Sequence, residues 1–149
     1  MKKGIGLLFL FLYISFVLNA QNINPQGYYS LDSKTRVENG DTYGYFGSVT
    51  VRPVDSIHIL VNLYVCKGAP SYNSGSFEDT LLYKNGIAVH TTADDASCVI
   101  TFNFNTAGGV IVEEKTKDAN DGCGFGHAVV ASGFYKRIRE EGVHEKSRQ

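Results

Sequence analysis

The sequence predicts an all-β protein in which eight antiparallel strands form a meander that closes into a small barrel or a barrel-like sandwich. The chain has nine Tyr, nine Phe and 16 Gly against three Pro in 149 residues, and aromatic residues favour strands. Apolar residues also recur at every second position in several short segments bounded by turn residues. Because an open sheet would leave two strand edges free to pair, closure is expected.

Alternation and turn residues place each strand. Apolar side chains occupy every second position from Ile57 to Val65, and the same period recurs from Cys98 to Phe104. Asn85-Gly86 is the dipeptide typical of a type I′ hairpin turn. The eight predicted strands are 27–32, 46–53, 57–65, 77–83, 87–91, 98–104, 109–115 and 127–135.

The first twenty residues have the layout of a secretory signal peptide. Met1-Lys2-Lys3 is basic, residues 5–18 are nearly all apolar, and Asn19-Ala20 precedes a polar stretch. A membrane anchor is the alternative, but about 14 apolar residues are fewer than the roughly 20 that span a bilayer. We therefore predict a signal peptide over 1–20, one β-barrel domain over 21–135 and a charged C-terminal tail over 136–149. The expected location is periplasmic or secreted, with no transmembrane segment.

The charge of the predicted domain narrows the class of partner. Residues 21–135 contain seven Lys and Arg against twelve Asp and Glu, a net charge of −5. Such a domain does not bind nucleic acid by neutralising phosphates, whereas it favours encounters with basic proteins. Solubility alone is the alternative explanation of this charge.

A meander places its connections alternately at the two ends of the barrel. The short turns 53–56, 84–86 and 105–108 fall at one end, and the longer connections 33–45, 66–76, 92–97 and 116–126 fall at the other. Because long loops carry recognition more often than tight turns, any binding site is expected at the long-loop end.

All three cysteines flank these long connections. An exported protein is expected to oxidise one pair, and three pairings are possible. Cys98–Cys123 is favoured, because Cys98 has the core-facing parity of its strand and Cys123 lies in a Gly-rich run. This bond would close a loop of about 25 residues and contribute roughly 3 kcal/mol. Cys66 would then be a buried thiol, a reactive nucleophile or an intermolecular link.

The sequence predicts no catalytic, metal or cofactor site. A thiol enzyme would combine Cys66 with His127 and an acid such as Asp94 or Asp95, yet no local motif supports it. The segment 118–122 lacks the ligand spacing of a calcium loop, and the four histidines lack zinc-site spacing. The carboxylates conceivable as a glycosidase pair are Asp79, Asp94, Asp95 and Asp121.

Aromatic and small residues are concentrated in the long connections. Tyr43 and Tyr45 lie in the first, and Tyr72 and Phe77 bracket Asn73-Ser74-Gly75-Ser76 in the second. Tyr mixed with Ser, Gly and Asn forms adaptable contact surface at low entropic cost. Alternatively, these rings close the open barrel end as a hydrophobic lid.

Two short motifs give the chain a family resemblance. Ser74-Gly75-Ser76-Phe77 and Ser132-Gly133-Phe134-Tyr135, on an exported and disulfide-linked barrel, resemble the Ser-Gly-x-Tyr loops of bacterial periplasmic lysozyme inhibitors. The run Gly122-Cys123-Gly124-Phe125-Gly126, with Gly133 and Tyr135, resembles small secreted proteins of Gram-negative bacteria. The first motif departs from the family pattern in having Phe for Tyr, and the second lies at the end of a strand.

The resemblance implies a non-enzymatic protein that binds a basic lysozyme through its loops. The implied contacts are Tyr72, Ser74, Gly75 and Phe77, with Tyr43 and Tyr45 beside them. A lipocalin-like carrier of a small apolar ligand and an envelope structural or interaction protein are the alternatives. Bulky residues at inward positions favour a filled interior over a carrier; these residues are Leu63, Leu81, Phe102 and Phe104.

Overall fold

The structure is a computed structural model that describes residues 23–92, 97–117 and 122–138. It confirms the all-β prediction. The strands are β1 (Gly27–Leu31), β2 (Arg36–Glu38), β3 (Asp41–Pro53), β4 (His58–Gly68), β5 (Ser74–Lys84), β6 (Ile87–Thr91), β7 (Val99–Asn105), β8 (Gly109–Lys115) and β9 (Gly133–Ile138). The predicted signal peptide 1–20 and the tail beyond Ile138 lie outside the described residues. None of the described residues forms a helix of the length and hydrophobicity needed to cross a membrane.

Eight of the strands form a closed antiparallel barrel. Each strand from β3 to β8 pairs with the next in sequence, and β1 closes the ring by pairing with both β9 and β3. Tyr29 of β1 is opposite Val49 on one side and Arg137 on the other. The remaining strand, β2, pairs with the start of β3 and forms a hairpin at the barrel end.

The Asn85-Gly86 turn and two strands agree with prediction in full. Strands β6 and β8 have the predicted bounds, and both turn residues have positive φ, 53° for Asn85 and 81° for Gly86. A type I′ turn requires this conformation at both positions, which is why Asn-Gly favours it.

Several strand boundaries were predicted wrongly. Strand β3 begins at Asp41 instead of 46, and β4 ends at Gly68 instead of 65. Strand β5 begins at Ser74 instead of 77. Strand β9 begins at Gly133 instead of 127 and continues through Lys136 to Ile138, so the charged tail does not begin at 136. Residues Arg36–Glu38 form a strand that was not predicted, because three residues, all of them exposed, show no apolar alternation.

Apolar side chains fill the barrel interior. The four bulky residues predicted to face inward are all buried, and Tyr29 and Tyr83 each contact Phe104 edge-to-face. Among the described residues no buried side chain is charged or polar in type. The core consists of Tyr29, Val49, Val51, Ile59, Val61, Leu63, Val65, Leu81, Ala88, Cys98, Ile100, Phe102, Phe104, Val110, Val112, Cys123, Val129, Ala131 and Tyr135.

The short-turn end of the barrel is closed by residues 23–26. The hydroxyls of Tyr29 and Tyr83 donate hydrogen bonds to the carbonyl oxygens of Pro25 and Ile23, at 2.7 and 2.5 Å. Nη2 of Arg137 donates to the carbonyls of Asn24 and Gln26, at 2.6 and 2.5 Å. Hydrogen bonds from a charged donor are the stronger class, so this segment is held firmly against the barrel.

Residues 122–132 lie across the opposite end. The Sγ atoms of Cys98 and Cys123 are 2.00 Å apart, which confirms the predicted disulfide. Val129 and Ala131 are fully buried, and Oε2 of Glu114 accepts the N–H of Ala131 at 2.6 Å. Burial raises the pKa of this Glu114 carboxyl. The long connection before β9 is therefore a lid instead of the start of a strand.

Candidate functional site

The structure places the long connections at one end of the barrel, as predicted. Strands β4, β6 and β8 run toward this end and β5, β7 and β9 run away from it. The connections at this end are 32–40, 69–73, 92–98 and 116–132, of which parts lie outside the described residues. The connections 54–57, 85–86 and 106–108 are at the other end. The candidate binding residues therefore all lie toward this end of the barrel.

Ser74, Gly75 and Phe77 do not lie in a loop. The ladder between β4 and β5 continues without interruption to Cys66 opposite Ser74, so all three belong to β5. The loop between these strands is 69–73 alone, half of the predicted 66–76. The predicted contact of these residues with a partner stays a prediction, whereas their predicted place in a loop is wrong.

Gly75 leaves room for the ring of Phe125, a residue of the lid. A Cβ atom at position 75 would lie 2.2 Å from the ring of Phe125, and the N–H of Gly126 donates to the carbonyl of Ser74 at 3.0 Å. Phe77 is stacked on His90 with ring centroids 3.9 Å apart and meets Phe102 edge-to-face. Ser74 and Gly75 therefore contact the segment that crosses the barrel end, whereas Phe77 packs within the barrel wall.

Tyr43 and Tyr45 also belong to a strand, since β3 begins at Asp41. The hydroxyl of Tyr45 donates to the carbonyl of Ala128, so its ring supports the lid. Tyr43 is half-buried beneath Arg36, whose Cζ lies 4.6 Å from the ring centroid. Of this pair, Tyr43 lies beside exposed groups of the β2–β3 hairpin.

Tyr72 is the exposed aromatic of loop 69–73. Its hydroxyl donates to Oδ1 of Asp41 at 2.9 Å and accepts the N–H of Thr42 at 2.9 Å. The Thr42 N–H lowers the pKa of Tyr72, whereas desolvation and the Asp41 carboxylate raise it, and the net shift is upward. These bonds hold loop 69–73 against the hairpin.

The β2–β3 hairpin extends past the last residue pair between β3 and β4. Tyr43 opposite Gly68 is the final pair between β3 and β4, so Asp41 and Thr42 lie beyond it. Val37 is 73% exposed, with Arg36 and Glu38 joined by an ion pair at 3.4 Å. The hairpin and Tyr72 together form a preorganised surface, which we call the hairpin surface and define as Arg36–Tyr43 with Tyr72.

Sequence reasoning missed a polar pair inside the barrel wall. Asp79 and His90 occupy inward positions opposite the fully buried Val61 and Ile100. Nδ1 of His90 lies 2.9 Å from Oδ2 of Asp79. Strand parity offered the signal, since Asp79 shares the parity of Leu81 and His90 that of Ala88, but the sequence pattern favours a solvent-facing position for most of the histidines.

The other chemical hypotheses gain no support from the described residues. Cys66 is a buried free thiol whose sulfur accepts the N–H of Gly68, and no hydrogen bond joins it to His127 in the part of the chain described. Asp94, Asp95 and Asp121 lie outside that part. Within 23–92, 97–117 and 122–138, no group of three or more metal-ligating side chains is present.

Comparisons with known proteins do not identify a family for this chain. No protein-family model, curated protein or solved structure matches the chain.

Proposed function

We propose that this is an exported, non-enzymatic binding protein that uses its hairpin surface to contact a protein partner. One observation carries the proposal: the barrel interior is filled, whereas exposed side chains at one end are already held in place by hydrogen bonds. Most of the interior positions hold apolar side chains, which disfavours a lipocalin-like carrier. Val37 and Tyr72 instead present apolar and aromatic surface to solvent.

Preorganisation supports a role in recognition. Side chains that are already ordered lose less entropy on binding, and Tyr is enriched among the residues that dominate interface energies. Tyr72 satisfies both conditions, because its hydroxyl bonds Asp41 and Thr42 while its ring remains 40% exposed. The envelope structural role remains the alternative, and it requires no soluble partner.

A basic lysozyme is the partner class that we propose. The predicted domain carries a net charge of −5, which favours a basic enzyme at low ionic strength. The resemblance of the chain's motifs to lysozyme inhibitors is the second argument. Of the contacts implied by that resemblance, the proposal keeps Tyr43 and Tyr72, which belong to the hairpin surface, and omits Ser74, Gly75 and Phe77, which lie in β5.

Inhibition assays test this proposal. The mature chain should inhibit at least one lysozyme class, and Tyr72→Ala should weaken the affinity about thirtyfold, the equivalent of about 2 kcal/mol for an aromatic anchor. Tyr28→Ala is the matched control, because Tyr28 is similarly exposed at 45% but lies on β1, away from the hairpin surface.

Each outcome has a defined meaning. Absence of inhibition across all lysozyme classes would reject the partner class. Equal weakening by Tyr28→Ala and Tyr72→Ala would reject the hairpin surface as the contact. Circular dichroism of each variant should match the wild type before affinities are compared.

A further inference from the structure

The barrel wall opens between β5 and β6. These strands form only two residue pairs, Tyr83 with Ala88 and Lys84 with Ile87, next to their tight turn. Beyond that point β5 continues to pair with β4, and β6 continues to pair with β7. The strands therefore diverge toward the lid, and their inward side chains line an opening of about 430 Å³.

Apolar groups form most of the walls of this opening. Phe77, Ile100 and Phe125 line it together with the imidazole of His90. The stacking of that imidazole on Phe77 fixes the ring, and Ile100 at the floor is fully buried. Such walls suit the aliphatic stem of a ligand.

Asp79 supplies the charge in the opening. No other Asp or Glu and no Lys or Arg lies among the described residues that line it. Its side chain remains 43% exposed although it occupies an inward position. A carboxylate accepts several hydrogen bonds, whereas the imidazole nitrogen facing it is a single partner. Asp79 therefore has capacity for a further donor that enters from solvent.

We propose that this opening binds the side chain of an arginine or a lysine. A guanidinium or ammonium group would contact the Asp79 carboxylate, and the methylene stem would lie along Phe77 and Phe125. Long basic side chains bury an apolar stem and keep a charged head in polar surroundings, which is the arrangement that this opening offers. The proposal concerns a second site in the barrel wall and does not depend on a lysozyme partner or on the hairpin surface.

A titration with small probes tests this site separately from the proposed function. The probes are N-acetyl-argininamide and N-acetyl-citrullinamide, which have similar shapes but differ in charge. Two-dimensional amide NMR spectra of the mature chain should show saturable shifts around Phe77 and His90 with the arginine probe. Binding of the citrulline probe should be at least about tenfold weaker, as expected for loss of a charge-assisted hydrogen bond.

Two variants locate the carboxylate responsible. Asp79→Asn should weaken binding of the arginine probe about tenfold, and its amide oxygen can still accept a hydrogen bond from His90. Glu78→Gln is the matched control, because the adjacent Glu78 is exposed and contacts Asn62 outside the barrel, and it should leave the affinity unchanged. Equal affinities for the two probes, which need no variant, would overturn the proposal, as would equal effects of the two substitutions.

Discussion

Replacing Phe102 with alanine is expected to lower the free energy of unfolding by about 3 to 5 kcal/mol. Phe102 is fully buried at the centre of β7, opposite Ala88 on one side and Val112 on the other. Because a closed barrel cannot collapse easily around a lost ring, the variant would retain a cavity as well as losing the transfer free energy.

Denaturant unfolding monitored by circular dichroism measures this loss. Phe134→Ala is the control, since Phe134 points outward from β9 and is exposed, and it should cost less than about 1.5 kcal/mol. Similar losses for the two variants would contradict a filled interior.

Removing the disulfide is expected to cost about 3 kcal/mol. The bond joins residues 25 positions apart, and it attaches the lid to the start of β7. In a chain carrying both Cys98→Ala and Cys123→Ala, the unfolded state has more conformational entropy because the loop is no longer closed. The folded state also loses the packing of two buried side chains.

The unfolding midpoint of this double variant should be no higher than that of the wild type under reducing conditions, because the reduced wild type keeps both buried side chains. Cys66→Ala serves as the control, because Cys66 is buried but unbonded, and its unfolding should remain sensitive to reductant. A double variant as stable as the oxidised wild type would show that the bond contributes nothing to stability.

The elements predicted best are those whose signals are local. The Asn85-Gly86 turn was confirmed because positive φ at two adjacent positions is a property of those residues themselves. The start of strand β8 follows from local sequence, because the apolar run Val110–Val112 comes directly after Gly109, where the ladder with β7 begins. The Cys98–Cys123 pairing followed from strand parity and from the alternation of connections between the two ends.

The strand boundaries were predicted wrongly where tertiary contacts, and not the local sequence, determine the conformation. Residues 127–132 are apolar enough for a strand, yet Val129 and Ala131 are buried in a lid that crosses the barrel end. Ser74 and Gly75 have loop-like composition, but the ladder with β4 and the ring of Phe125 hold them in a strand. Local propensity is a weak guide wherever such contacts compete with it.

The candidate site was predicted in part. The end of the barrel and Tyr72 were identified from loop lengths and composition, and Tyr43 was identified although it lies in β3. The exposed Val37 was missed, because a single apolar residue between charged neighbours gives no periodic signal. The contact between Asp79 and His90 depends on how β5 and β6 are placed relative to each other in the barrel, which the sequence alone does not specify.

The most direct test of the hairpin surface compares two valine substitutions. Val37→Ser removes the most exposed apolar side chain of that surface, and Val54→Ser makes the same change at the opposite end, where Val54 is 56% exposed. Affinity for the inhibited lysozyme should be measured by isothermal titration calorimetry. The expected result is about tenfold weaker binding for Val37→Ser, near 1.4 kcal/mol, and no change for Val54→Ser. Unchanged affinity for Val37→Ser, or a larger loss for Val54→Ser, would contradict the proposal.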